Sequence, residues 1–319
     1  MTVIELVEAS ARQLADAGVA FGHGTTNAFD EAAWLVLWQL GLPLDDLDGV
    51  ADRAVSAQQR GGVLELVAER IRSRKPAAYL THEAWLQGLP FYVDERSIVP
   101  RSFIAELLVD GGIDPWLGER TSRVLDLCTG NGSLAVLAAM AYPEVAVDAS
   151  DVSADALAVA RINVDKHGLR DRIRLLQSDG LASVPGPYDL ILCNPPYVNA
   201  QSMAELPAEY RAEPPMALAG GADGMDFIRA LLRHAPAHMS EHAVLVLEIG
   251  NERGNFEAAF PRLEVVWLET SAGEDQVLLV TQDSFQACHC GPGSSPGFQH
   301  PQSMDPGSML APDSIRGPG

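Results

Sequence analysis

Residues 123–141 read RVLDL, then CTGNGS, then LAVLAAMA: a short apolar strand, a turn carrying two glycines, and an apolar run with helical spacing. Strand, glycine turn, helix is the setting that turns a bare Gly-x-Gly into a ligand-binding hypothesis. The helix start presents free backbone N–H groups, and glycine lets the chain approach a ligand closely. Gly130 and Gly132 are the candidates. The pattern then continues: EVAVDASD is a second strand, SADALAVARINVDKHG an amphipathic helix, RIRLLQSDG a third strand and DLILC a fourth. Alternating strands and helices predict an α/β fold with a Rossmann-like sheet, whose ligands bind at the carboxyl ends of the strands.

Polar residues fall at those ends in succession: Asp126, Asp151, Asp179 and Asn194. Asp151 lies roughly twenty residues past the glycine turn, where a carboxylate can accept both hydroxyls of a ribose, and Val152 follows it. A dinucleotide fingerprint would want a third glycine at position 135, where Ala135 stands. Asp126 precedes the turn residues Cys128 and Thr129 and could meet a cationic group on the ligand; Asp179 could accept the exocyclic amine hydrogens of adenine. An ammonium, a ribose and an adenine together describe S-adenosylmethionine.

The fourth strand runs into Asn194-Pro195-Pro196-Tyr197, an NPPY loop with little conformational freedom, since each proline fixes its own φ and restricts the residue before it. The loop offers one carboxamide, carbonyls without neighbouring donors, and one aromatic face. That set suits a planar NH2 group, whose lone pair is delocalised and therefore poorly nucleophilic. The side-chain oxygen of Asn194 and the carbonyl of Pro195 could take both N–H hydrogens and turn the lone pair toward an electrophile, with Tyr197 stacked on the flat acceptor.

The formal charge of −21 argues against a nucleic-acid surface and suits a basic protein substrate. Residues 81–284 hold 30 acidic against 14 basic side chains, so most of the excess lies in the catalytic part. MTVIELVEAS lacks the basic start of a signal peptide, no membrane-spanning apolar run exists, and four cysteines suit a reducing cytoplasm better than a disulfide framework.

Residues 1–75 read as a small helical unit, either a substrate-recognition module or a packing unit: Ile4, Leu6, Val7 and Leu14 fall near helical spacing, Thr25-Thr26-Asn27 caps a second helix, and GVLELVAERIRSR ends at Lys75-Pro76. Trp34 and Trp38, one turn apart, read as core. Residues 76–102 alternate around Gly88-Leu-Pro90 as a β-hairpin linker that holds His82 and Glu83, residues 103–284 read as the S-adenosylmethionine-binding catalytic unit, and residues 285–319 have the composition of a disordered tail. EHAVLVLEIGNE reads as a further strand, VVWLET and QVLLVTQ as a closing hairpin, and Glu213-Pro214 with GGADGMDFIR as a wall on the acceptor side. Cys288, His289 and Cys290 are adjacent and have no second ligand pair, so no metal is expected.

DLCTGNG, NPPY, THEAWLQGLPFYVDERSIVPRS and MAELPAEYRAEPPMALAGGADGMDFIR resemble the glutamine N5-methyltransferases of the HemK family, over about residues 20–281. Cys128 and Thr129 match the branch acting on ribosomal protein L3, whereas the release-factor branch usually has Gly in place of Cys128; Phe103 stands where the branch typically has Pro. The resemblance implies a seven-stranded class I methyltransferase sheet, S-adenosylmethionine as donor and a glutamine amide as acceptor. The alternatives are a release-factor glutamine methyltransferase, a nucleic-acid adenine-N6 or cytosine-N4 methyltransferase, and a non-catalytic ribosome-assembly binding factor.

Overall fold

The computed structural model describes residues 1–289, with side chains through Phe285. The Cys288, His289 and Cys290 side chains and the tail from 290 onward lie outside the described part.

Three helices, Val3–Asp16, Ala28–Leu40 and Ala57–Ser73, bury a common apolar cluster that includes Leu6, Leu14, Leu35, Leu37, Val63 and Val67. Their limits follow from capping chemistry. Thr2 with Glu5, and Ser56 with Gln59, form capping boxes that satisfy first-turn N–H groups, and the Asn27 side chain accepts from Phe29 N and Asp30 N. The second helix ends on Gly41, and the third on Arg74, each in the left-handed conformation. On the first helix the buried set is Val3, Leu6, Val7, Ser10 and Leu14; Ile4 lies to one side.

The linker departs from the sequence reading in two respects. It begins with a short helix, Ala77–Thr81, and the hairpin proper comprises only β1 (Ala84–Leu86) and β2 (Leu89–Phe91). The turn is Gln87-Gly88, both at positive φ (49° and 74°), a geometry that matches the twist of antiparallel strands; Leu89 and Pro90 already belong to β2.

The remaining strands are β3 (Arg123–Leu127), β4 (Ala146–Asp151), β5 (Ile173–Gln177), β6 (Tyr188–Cys193), β7 (Met239–Glu248), β8 (Val266–Thr270) and β9 (Gly273–Thr281). They form one seven-stranded sheet in the order β5-β4-β3-β6-β7-β9-β8, parallel except for the pairs involving β9. Side chains alternate between two cores: Val124, Leu190, Leu192, Val244 and Val246 on one face, Leu125, Leu127, Ile191, Leu245 and Leu247 on the other. From β3 the chain winds outward through β4 and β5, then returns to add β6 on the opposite side. The strand order therefore reverses between β3 and β6, and a crevice opens there at their carboxyl ends. With Leu127 paired to Cys193 across that boundary, the glycine turn and the NPPY loop emerge side by side.

A helix at Gln282–His289 follows β9, and Phe285 packs in the same core as Leu278 and Val280. The packed fold thus reaches into the stretch read as tail from residue 285. No described helix is long and apolar enough to cross a membrane.

Candidate active site

A cavity of 570 Å³ occupies the crevice, within the size range of small-molecule sites. Cys128, Thr129, Gly130, Asp151, Val152, Asp179, Asn194 and Pro196 all line it. A second cavity of 130 Å³ adjoins it, lined by Asn194, Pro195, Tyr197, Tyr210 and Leu218 among others. Ile98, Arg101, Asn194 and Ala217 belong to both walls.

Asp151, at the end of β4, is largely enclosed yet reaches the larger cavity. Its Oδ2 accepts from Gly130 N at 2.9 Å and its Oδ1 from Ser153 N at 2.9 Å, and the Val152 N–H also acts on the carboxylate, which keeps part of its acceptor capacity for a ligand. Burial pushes its pKa up, against the pull of the backbone N–H bonds from Ser153 and Gly130. Asp179 sits two residues beyond β5 on the same wall, exposed.

Two candidates are corrected. Asp126 lies inside β3, fully buried and off the cavity wall: its Oδ2 accepts from Thr129 Oγ1 at 2.5 Å and Ala135 N at 2.9 Å, tying the glycine turn to the helix Ser133–Ala141. Burial raises its pKa to about 7, against the hydrogen bonds from Thr129 and Ala135. Gly132 is also off the wall; at φ 82°, a Cβ there would come within 3.1 Å of the Ala160 Cβ, so the helix Ala154–Lys166 demands this glycine.

Asn194 follows β6 directly. Its Nδ2 donates to the carbonyl of Arg101 at 3.3 Å, which leaves Oδ1 as an acceptor. Among the described residues neither this oxygen nor the Pro195 carbonyl accepts a hydrogen bond. The loop is braced by parallel pairing of Val198 with Ala219, through Val198 N to Leu218 O and Gly220 N to Val198 O, both 2.9 Å. Gly220 permits that approach, since a Cβ there would lie 2.7 Å from Tyr197 Cα.

Behind the smaller cavity stand buried carboxyls that sequence reading did not assign. Glu213, flagged only as wall, takes both guanidinium nitrogens of Arg101 at 2.6 Å and Val99 N at 2.9 Å, with His23 Nε2 at 3.4 Å. Burial would raise its pKa, but His23 and Arg101 outweigh burial and hold it at about 2. His23 comes from the helical unit, which also sends Arg70 and Arg74 to Glu209 at 3.4 and 3.2 Å. Glu248, at the end of β7, accepts from Ser102 Oγ at 2.6 Å and Phe103 N at 2.9 Å, with Tyr197 Oη 3.4 Å away.

Burial raises the Glu248 pKa to about 7, against the hydrogen bonds from Ser102, Phe103, Ile104 and Tyr197. A carboxyl raised in the folded state favours folding below its unfolded pKa, about 4.3, and loses that contribution as pH rises through its folded value. Stability from urea titration is therefore expected to fall between about pH 4.5 and pH 7. Glu248→Gln should remove part of that slope and be on the order of 1–3 kcal/mol less pH-sensitive across the window. Identical slopes in both proteins would show that Glu248 does not carry the titration.

The methyltransferase small domain family matches residues 113–209. The chain is 54% identical over 289 residues, 88% of its length and 94% of the other, to the ribosomal protein uL3 glutamine methyltransferase of Burkholderia pseudomallei (strain K96243). It is 54% identical over 285 residues to the protein of that name from Bordetella pertussis, covering 88% of this chain and 95% of that one. It is 48% identical over 284 residues to the one from Neisseria meningitidis serogroup B, covering 88% and 93%. A seven-stranded sheet with a crevice at its strand order reversal, an NPPY corner at that crevice, and likeness over nearly the whole of these relatives agree: the chain belongs to the ribosomal protein uL3 glutamine methyltransferase family.

Proposed function

We propose that the chain methylates the side-chain amide nitrogen of a glutamine in ribosomal protein uL3, with S-adenosylmethionine as donor. The observation that carries this reading is the place of Asn194, on the shared wall of a cofactor-sized cavity and a side-chain-sized one, its amide nitrogen spent on Arg101 and its oxygen free. The larger cavity suits the donor. Asp151 offers its remaining acceptor capacity to ribose hydroxyls, Asp179 an acceptor for the adenine amine, Val152 an apolar surface, and Cys128, Thr129 and Gly130 a close backbone; at Gly130, open space surrounds the position a Cβ would take.

When bound, the donor supplies a methyl carbon on a cationic sulfur, which the amide nitrogen's electron pair takes as the carbon–sulfur bond breaks. The residues supply position. Asn194 Oδ1 and the Pro195 carbonyl accept the two N–H hydrogens of the glutamine amide, while Tyr197 and the prolines bound its plane. Holding a weak nucleophile in one orientation inside a closed pocket can supply about 7–11 kcal/mol of the barrier. The surplus proton passes to water. Glu213 is too weak a base at a pKa of about 2, Glu248 is sealed behind Ser102 and Phe103, and burial keeps the Tyr197 phenol neutral.

The acidic surface suits a basic protein substrate and disfavours nucleic acid, and a ribosomal protein target supports a cytoplasmic location. Asp151→Ala is expected to raise the S-adenosylmethionine Kd by about 10–100-fold, the worth of charge-assisted hydrogen bonds, with little change in turnover at saturating donor. Calorimetry giving an unchanged Kd would remove Asp151 from the ribose role. Incubation with labelled donor and purified uL3, followed by peptide mapping, tests the whole: label on a glutamine of uL3 is the expected result, and label only on a release factor would reassign the target.

A further inference from the structure

A further cavity lies on the helical unit, and shares no lining residue with the two at the sheet edge. It is an open groove of 880 Å³ between the helix Ala28–Leu40, the loop after it and the β1–β2 hairpin. Phe29 (41% exposed) and Trp85 (46% exposed) stand out of it, and Trp34 and Trp38, read from sequence as core, are only partly buried and line its floor. Large aromatics left open in one concavity are costly to a monomer and typical of a protein-binding anchor site.

Charge says what kind of partner. Asp30, Asp45 and Glu83 rim the groove. Between Arg12 and Arg53 the chain carries seven acids (Asp16, Asp30, Glu31, Asp45, Asp46, Asp48 and Asp52) and not one Lys or Arg. Only Glu31 among them is neutralised by a buried cation, Arg70. A second copy of so acidic a surface would be repelled; a basic segment with an apolar anchor is complementary.

The groove is also within reach of the reaction. Glu83 and Trp85 on its wall and Arg96 and Ser97 on the wall of the larger cavity belong to one strip of chain. The eleven residue steps from Trp85 to Arg96 span at most about 40 Å even if fully extended.

We infer that this groove docks a second segment of the protein substrate, an apolar side chain flanked by Lys or Arg, separate from the glutamine that is methylated. The inference rests on the proposed protein-methylating function and adds a distant anchor to it. Docking there raises the residence of the whole substrate without touching the reacting amide, so its signature is selective for substrate length.

The test compares full-length uL3 with a short peptide spanning the modified glutamine, for the wild type, Phe29→Ala/Trp85→Ala and Asp45→Lys. Both sets of side chains are exposed, so the fold should survive; S-adenosylmethionine affinity serves as the control. The expected result is a KM for uL3 raised about tenfold or more in each variant, with kcat and the peptide KM unchanged, and with the Asp45→Lys effect shrinking at high salt. Unchanged KM for uL3, or an equal rise for protein and peptide, would overturn the groove assignment. So would a change in sedimentation coefficient with no change in KM, which would make the occupant a second copy. If the wild type modifies neither uL3 nor the peptide, the failure belongs to the underlying activity and not to the groove.

Discussion

Asn194→Ala is expected to reduce methylation of uL3 at saturating donor by about 10²–10³-fold or more, while changing the Kd for S-adenosylmethionine by less than about threefold. The asymmetry follows from where the side chain stands. Asn194 is one of some thirty residues around the larger cavity, and on the proposed reading Asp151, Gly130 and Asp179 would hold the donor without it. In the smaller cavity, on the same reading, it would supply one of two acceptors for an amide that needs both to be oriented. Its own orientation is set by the bond from Nδ2 to Arg101, so alanine removes an acceptor that was already placed. Single-turnover rates and calorimetry on the same preparation separate the two effects. Losses of similar size in both would show that Asn194 acts mainly through the donor.

The largest loss of stability is expected at a residue that lines neither cavity. Arg70 has no exposed surface; its Nε donates to Glu31 at 2.8 Å, one terminal nitrogen lies 3.4 Å from Glu209, and the other donates to the carbonyl of Ala20 at 2.9 Å. Burial already pushes the Glu31 pKa up, with Arg70 opposing that rise. Removing the cation strands the buried Glu31 carboxylate and leaves Glu209 with Arg74 alone, and breaking a buried pair in this way typically costs about 3–5 kcal/mol out of a total near 5–15. Arg70→Ala should therefore bring the urea midpoint down sharply, and Arg70→Met/Glu31→Gln should cost less than the sum of its single changes. A midpoint shift equivalent to under about 1 kcal/mol would mean that water reaches these carboxylates.

The contrast between Asn194 and Arg70 shows what could be read in advance. The place of Asp151 and Asn194 on one cavity wall is legible because a parallel sheet sends the ends of its strands to one edge, and a polar residue closing an apolar run is visible in sequence. Asp126 looked equivalent by that rule, yet it lies one residue inside β3, and its carboxyl turns back to hold Thr129 and Ala135. Gly132 was assigned to the ligand although its demand comes from Ala160, a contact on a neighbouring helix. The Arg70 network was invisible because its partners lie 39 and 139 residues away and no local pattern announces them. Helical period correctly placed Trp34 and Trp38 on one face; whether that face meets core or open groove depends on the loop and hairpin packed beside it.

The buried ion pairs around Glu209 and Glu213 also limit how this enzyme could be retargeted. The stretch from Leu206 to Leu218 borders the acceptor cavity, but its two carboxylates are held by Arg70, Arg74 and Arg101 from two other parts of the chain. A chimera that imported only this stretch from a methyltransferase with another target would face three arginines with no matched acids, and would lose folding before it gained new specificity. The helical unit, the linker and this stretch form one transferable cassette, and a productive swap must carry all three.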